Sequence, residues 1–158
     1  MNRSTTAIYG HTVHRLEPYP LWLGHADDLA GVRAIIDAGI CAVVDLAVNE
    51  PAPHLPRDMV YCRIPLVDGT GNDPWILLSA IRTTASFLKL SVPTLVCCSA
   101  GLSRGPAIVA AALSTVIHRT PEDCLRQVSG SISHDVSPGF WNEVVGVCHS
   151  LHEQSTVE

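Results

Sequence analysis

LVCCSAGLSRGP (residues 95–106) joins a short apolar run to a loop of small residues and then to a proline that can open a helix. The apolar residues that end at Cys98 predict a buried strand. Gly101 lets the loop backbone turn tightly, and Pro106 fits the first turn of a helix because its missing N–H has no partner there anyway. Ligands of α/β proteins bind where a strand ends and a helix begins. The sequence therefore predicts a ligand site between Cys98 and Arg104.

Strand-like and helix-like segments alternate on both sides of this junction. The run CAVVDL (41–46) is apolar and β-branched, like residues 94–98, and both runs are typical of buried strands. We predict further strands near 12–16, 21–24 and 60–66. Capping residues and apolar periodicity predict helices over about 26–38, from Asp73-Pro74 to about 90, over 105–117, and near 121–130 and 138–152. This alternation predicts an α/β fold in which helices flank a mostly parallel central sheet, with residues 1–158 as a single domain.

Composition excludes several classes of protein. The chain has 158 residues, of which 47% are hydrophobic and 16% charged, so it can bury a sizeable core and is not a disordered tail. The net charge is −5 and Lys89 is the only lysine, which argues against nucleic acid and anionic membranes as partners. No apolar run approaches the roughly 18 residues that span a bilayer. MNRSTTAIYGHTVHR (1–15) has no apolar signal core, and a cytoplasmic location is therefore expected.

The loop between Cys98 and Arg104 brings together groups that suit phosphate chemistry. A tightly curled loop directs its N–H groups inward, and with the following helix dipole it favours an anion, including the thiolate of Cys98. The Arg104 guanidinium can donate to two oxygens of one phosphate. A nucleophile, an anion cradle and a cationic clamp would then share one loop. The alternative is that Cys98 is a core thiol and Arg104 a surface charge.

The segment CCSAGLSRG (97–105) resembles the phosphate-binding loop of cysteine-dependent protein phosphatases, His-Cys-x-x-Gly-x-x-Arg-Ser/Thr. The likeness is greatest to the small dual-specificity branch of the protein tyrosine phosphatase superfamily. LWLGHADDLAGVRAIIDAGICAVVDL (21–46) is similar to the opening strand, helix and strand of that branch, and VSPGFWNEV (136–144) to its closing helix. Low-molecular-weight phosphatases carry their loop near the N-terminus, which position 98 does not match. The resemblance implies a phosphotyrosine-phosphatase-like fold.

The resemblance also implies a role for each matching residue. Cys98 would be the nucleophile and Arg104 the phosphate clamp. The substrate phosphate would also contact the loop itself, formed by Ser99, Ala100, Gly101, Leu102 and Ser103. Asp68, in IPLVDGTGND (64–73), would be the general acid and base. An Asp-Gly turn is the alternative for Asp68, and Asp73, the competing acid, is better placed as a helix N-cap before Pro74.

Two positions depart from the pattern. Cys97 stands where the phosphatases have histidine, and Gly105 stands where they have a hydroxyl residue, so weakened turnover is expected. Ser103 is a candidate to supply the missing hydroxyl. A redox role for Cys97 beside a reactive thiolate is disfavoured, because successive residues of a strand point to opposite faces.

The function predicted from the sequence is hydrolysis of phosphomonoesters through a phosphocysteine intermediate, without a metal or other cofactor. The expected substrates are phosphotyrosine and phosphoserine or phosphothreonine in proteins, or a small phosphomonoester. Two alternatives stay open: a phosphate- or phosphoprotein-binding module that has lost turnover, and a rhodanese-like sulfurtransferase, which also places a cysteine between a strand and a helix.

Overall fold

The computed structural model of the protein describes residues 5–8 and 11–155, and within them six strands form one sheet. The strands are β1 (Thr5–Ile8), β2 (His11–Arg15), β3 (Leu21–His25), β4 (Ala42–Asp45), β5 (Val60–Arg63) and β6 (Thr94–Cys98). Their order across the sheet is β1-β2-β3-β6-β4-β5. The pairings β3–β6, β6–β4 and β4–β5 are parallel, and β1–β2 and β2–β3 are antiparallel. The mostly parallel α/β sheet expected from the sequence is thus confirmed, with β1 as an additional edge strand.

Five helices accompany the strands: α1 (Val32–Asp37), α2 (Pro74–Lys89), α3 (Arg104–Ile117), α4 (Pro121–Ser131) and α5 (Pro138–Ser155). The single helix predicted over 26–38 is divided into a short 3-10 helix, Ala26–Ala30, and α1. Gly31 separates the two, because its ψ angle of 45° lies outside the helical range. Within the described residues, no helix is long and apolar enough to cross a membrane.

The two faces of the sheet bury different sets of residues. Val96 and Cys98 point to the side covered by α2, α3, α4 and α5, where Ile108 and Phe140 are fully buried. Leu95 and Cys97 point to the other side, which the 3-10 helix and α1 cover. This alternation is the period-two geometry of a strand. It separates the thiols of the adjacent cysteines by the thickness of the sheet, as the sequence predicts.

Strand β6 lies at the centre of the sheet, and this position determines where the loop after it emerges. Helix α3 follows that loop and is buried along its whole first part, from Arg104 to Ser114. The chain after β5 leaves the sheet gradually: the N–H groups of Ile64 and Leu66 still donate to the carbonyls of Asp45 and Leu46. The regular strand nevertheless ends at Arg63, earlier than the predicted 60–66, and these two hydrogen bonds extend its contact with the β4 segment.

A buried carboxylate holds the end of β4 in place. Asp45 is 1% exposed, and its Oδ2 accepts a hydrogen bond of 2.6 Å from the Tyr61 hydroxyl. Its Oδ1 accepts from the Ala47 N–H at 3.0 Å, with the Cys97 thiol at 3.9 Å. A buried charge is tolerated only when such donors surround it. They fix the backbone at Leu46, whose carbonyl contributes to the site described below.

Replacing Tyr61 with Phe removes the shortest of these hydrogen bonds and leaves Oδ2 of Asp45 without that donor. We expect the free energy of unfolding, measured by urea titration, to fall by about 1–3 kcal/mol. Tyr19→Phe is the matched control, because within the described part of the chain the Tyr19 hydroxyl bonds only to the Gln127 amide nitrogen, at 3.4 Å. Equal losses in the two variants would contradict the role assigned to Tyr61.

Candidate active site

The thiol of Cys98 lies at the end of the central strand and at the beginning of the loop. Cys98 is paired in register with His25 of the neighbouring strand β3. Cys98 is 1% exposed and belongs to the buried cluster on the side of the sheet that α2, α3, α4 and α5 cover, so its sulfur is almost wholly shielded from solvent. Cys97 is 0% exposed, and burial, with the charge of Asp45, raises the pKa of its thiol well above the ordinary value. Cys97 is accordingly a neutral core residue.

Gly101 makes the turn of the loop possible. Its φ angle is +69°, a left-handed conformation that residues with a Cβ rarely adopt. A Cβ at Gly101 would also lie 3.0 Å from the carbonyl oxygen of Gly24 in β3, closer than most such atoms approach. On the other side of the loop, the Leu102 carbonyl accepts a hydrogen bond of 2.8 Å from the Asp135 N–H, in the connection between α4 and α5. The loop is therefore fixed from two sides.

Arg104, the first residue of α3, is buried with its guanidinium inside the protein rather than in solvent. It is 7% exposed. Its Nη1 donates to the carbonyl of Leu66 at 2.8 Å and lies 3.4 Å from the carbonyl of Leu46. Its Nη2 donates to the Ser99 hydroxyl at 2.8 Å. The Nε–H is buried and has no partner among the described residues, so one donor of a fully charged group is left for another acceptor.

Asp68 reaches the same loop from the segment between β5 and α2. Its Oδ1 accepts a hydrogen bond of 2.7 Å from the Ser103 hydroxyl. The structure therefore brings Asp68 to the loop of Cys98 and Arg104. Ser103 is held by this bond to Asp68, and the expectation that its hydroxyl replaces the missing one beside the sulfur finds no support. Asp73 occupies the N-cap position of α2, but its side chain makes no capping bond.

Gly105 stands directly beside the nucleophile candidate. A Cβ at this position would lie 3.7 Å from Sγ of Cys98 and 3.1 Å from Cδ2 of Leu23. A hydroxyl-bearing residue here would therefore stand next to the sulfur. With glycine, that hydroxyl is absent.

Glu50 is a site residue that the sequence analysis missed. The pKa of this carboxyl lies below its ordinary value, chiefly because of the hydrogen bond with the Ser99 hydroxyl. The charge of Arg104 lowers the pKa to a smaller extent. Its backbone is held by Arg63, whose Nη2 donates to the Glu50 carbonyl at 2.6 Å. The available signal was its place in the segment that follows β4, since carboxyl ends of parallel strands meet at one edge of the sheet. A carboxylate thus lies next to the loop that begins at Cys98.

Within the described part of the chain, no group of three or more His, Cys, Asp or Glu side chains is placed to hold a metal ion. The loop that begins at Cys98 instead carries the Arg104 guanidinium and the hydroxyls of Ser99 and Ser103, and the carboxyl groups of Asp68 and Glu50 lie at its edge. Such an arrangement suits a tetrahedral oxyanion.

Solved structures provide the comparison with known proteins. A mouse putative dual-specificity phosphatase complexed with zinc tungstate has a TM-score of 0.80 at 22% identity, over 98% of this chain and 96% of that one. Human DUSP28 has a TM-score of 0.77 at 23% identity, over 90% and 99%. PTPMT1 in complex with PI(5)P has a TM-score of 0.73 at 17% identity, over 90% and 98%.

No family model matches the chain, and no curated protein sequence matches it. At identities of 17–23% the similarity concerns the fold, and nearly the whole length of each chain takes part in it. The mostly parallel sheet, with its central strand leading into the cysteine loop, is the fold of the small dual-specificity phosphatases.

Proposed function

We propose that the protein hydrolyses phosphomonoesters through a phosphocysteine intermediate. The observation that carries this proposal is the buried guanidinium of Arg104. It is fixed by carbonyls on one side, borders the loop that begins at Cys98, and keeps a buried Nε–H without a partner among the described residues. An unsatisfied buried donor on a cation costs free energy, and a phosphate oxygen is a strong acceptor for it.

In the proposed reaction the Cys98 thiolate attacks phosphorus, a sulfur–phosphorus bond forms and the ester oxygen leaves. Asp68 acts as the general acid and gives a proton to the leaving oxygen. A water molecule then attacks the phosphocysteine while the Asp68 carboxylate takes a proton from it, which releases phosphate and restores the thiolate. Arg104 and the N–H groups of residues 99–103 bind the phosphate oxygens in both steps.

We further propose phosphorylated side chains of proteins as the substrates, with phosphotyrosine and phosphoserine or phosphothreonine both admitted. PTPMT1 was solved with PI(5)P, which raises the question of lipid substrates for this fold. The loop side chains here are not basic, and the carboxylate of Glu50 stands beside Ser99. A headgroup that carries several phosphates would meet little positive charge beyond Arg104, which favours a substrate with one phosphate.

A phosphate-binding module without turnover is the second candidate function. Gly105 gives the sulfur no hydroxyl neighbour, and the buried Cys97 thiol takes the place of a histidine. Both features favour slow breakdown of a phosphocysteine rather than weak binding of phosphate. A protein that binds phosphopeptide and releases no phosphate would fit this second function.

The proposed reaction needs Cys98 as its nucleophile. Freshly reduced protein is expected to hydrolyse p-nitrophenyl phosphate, and Cys98→Ser is expected to abolish the activity because its alcohol is not ionised at neutral pH. Nitrophenolate release measures the rate, and circular dichroism verifies that the variant folds. Phosphopeptide binding without turnover by the unaltered protein would favour the binding module. Cys98-dependent transfer of sulfur from thiosulfate to cyanide, without phosphate release, would favour the sulfurtransferase.

Asp68 and Asp73 are the two candidate acids. Asp68→Asn is expected to slow hydrolysis of phenyl phosphate by about 10²- to 10⁴-fold, because phenolate is a poor leaving group that needs a proton. The same variant is expected to lose little with 2,4-dinitrophenyl phosphate, whose leaving group needs none. Asp73→Asn is the matched control and is expected to behave like the unaltered protein with both esters. The reverse pattern would assign the acid to Asp73.

Gly105 offers the Cys98 sulfur no hydroxyl at this position. Gly105→Ser places a hydroxyl beside Sγ of Cys98, where it can stabilise the sulfur as it leaves phosphorus. A charge-assisted hydrogen bond of about 1.4 kcal/mol would raise kcat by about tenfold. Gly105→Ala is the control, because it adds the Cβ next to Leu23 without the hydroxyl. Pre-steady-state bursts should shrink in the serine variant as phosphocysteine breakdown accelerates; an unchanged kcat would contradict a breakdown-limited reaction.

A further inference from the structure

The segment that carries Asp68, between β5 and α2, packs few of its own side chains against the rest of the protein. Val67 is 52% exposed, and Asp68 is exposed as well. Gly69 and Gly71 have φ angles of +142° and +100°, and nothing lies within 4 Å of the Cβ that either would carry. Exposed, glycine-containing loops with few packed side chains open readily. A general acid on such a loop needs something else to hold it.

Asn72 ties this segment to itself. Its Oδ1 accepts a hydrogen bond of 2.8 Å from the Val67 N–H, and its Nδ2 donates to the carbonyls of Val67 and Gly69, both at 3.1 Å. The side-chain amide therefore bridges the residues on either side of Asp68. This closes the loop locally without fixing where it lies relative to Cys98.

Glu143 of α5 supplies the external attachment, 72 residues away from Gly71 in sequence. One carboxylate oxygen accepts from the Gly71 N–H at 2.7 Å. The other accepts from the N–H and the side-chain Nδ2 of Asn72, at 3.2 and 3.3 Å. These donors, Gly71 foremost, lower the pKa of Glu143 below the ordinary value of a glutamate, which keeps it ionised at neutral pH.

The first turn of α5 also packs against the segment. A Cβ at Gly139 would lie 2.6 Å from Cγ2 of Thr70, so the absence of a side chain there is what permits the close approach. The start of α5 follows the connection whose Asp135 N–H donates to the carbonyl of Leu102 in the phosphate loop. The same region of the chain thus contacts both the phosphate loop and the segment of Asp68.

We propose that Glu143 is a positioning residue that fixes the general-acid segment over the phosphate loop through Gly71 and Asn72. The proposal rests on the function proposed above, in which Asp68 is the acid. Ser103 holds the Asp68 carboxylate at one end and Glu143 holds the backbone three and four residues further along the chain. With both attachments present, the carboxyl group stays within reach of the leaving oxygen; with one missing, it spends less time there.

The test uses the leaving-group dependence of the rate. Glu143→Ala is expected to lower kcat for phenyl phosphate by about 10- to 100-fold, with KM little changed, and to leave 2,4-dinitrophenyl phosphate nearly unaffected. Glu143→Gln keeps one acceptor oxygen, and its kcat for phenyl phosphate is expected to lie between those of the unaltered protein and Glu143→Ala. Asn142→Ala, on the same helix and exposed, and Glu122→Gln, an exposed acid on α4, are controls expected to match the unaltered protein. Equal losses with both esters would overturn the proposal.

A double-variant cycle tests whether Glu143 acts through Asp68. In the Asp68→Asn background, Glu143→Ala is expected to have almost no further effect on phenyl phosphate, because the acid it positions is already absent. Additive losses would contradict the proposed route.

Amide hydrogen exchange separates failure of this inference from failure of the proposed function. In Glu143→Ala the N–H groups of Gly71 and Asn72 are expected to exchange at least about tenfold faster, while that of Val96 in β6 keeps its protection. Unchanged exchange of these N–H groups would overturn the positioning role of Glu143 even if the enzyme is active. A different result is faster exchange in the variant without any Cys98-dependent hydrolysis. It would refute the phosphatase function and leave the contact of Glu143 with Gly71 and Asn72 as a structural attachment only.

Discussion

The contact between the Arg104 guanidinium and the backbone carbonyls of Leu46 and Leu66 determines how the candidate site is assembled. It joins the start of α3 to the chain that leaves β4 and to the chain that leaves β5. Buried cations need such acceptors. Asp45 and the pairing of β4 with β5 hold the strand ends and so place the carbonyls of Leu46 and Leu66 around the guanidinium. The ends of β4 and β5 and the loop between Cys98 and Arg104 are therefore held together by one set of contacts.

The sequence was most informative where the relevant contacts are local. Cys98, Gly101 and Arg104 lie within seven consecutive residues, so a strand, a tight turn and a helix start could be read directly from composition. The proximity of Asp68 to the loop required the resemblance to a known family, since nothing in the spacing between positions 68 and 103 encodes it. The hydrogen bond between Asp68 and Ser103 now gives that proximity a physical basis.

Contacts between distant segments could not be predicted in this way. Glu50 and Glu143 are ordinary charged residues in sequence, and only folding brings one beside Ser99 and the other onto the N–H groups of Gly71 and Asn72. The helix predicted over 26–38 failed at Gly31 for a local reason, because its backbone conformation interrupts the helix where apolar periodicity continues. The candidate role of the Ser103 hydroxyl beside the sulfur finds no support for a related reason. The direction of a hydroxyl depends on which acceptor the fold supplies, and here that acceptor is Asp68.

The unpaired Nε–H of Arg104 has a thermodynamic consequence for the whole molecule. The unfolded chain hydrates that donor, whereas the folded chain buries it with no protein partner among the described residues, and burial of an unpaired donor costs stability. An oxyanion that binds there would bind only the native state, and it would therefore stabilise the fold by mass action. At a concentration of a hundred times its Kd it would add about 2.7 kcal/mol to the free energy of unfolding. Melting curves recorded in phosphate buffer and in an amine buffer would then describe two differently stable forms of one protein.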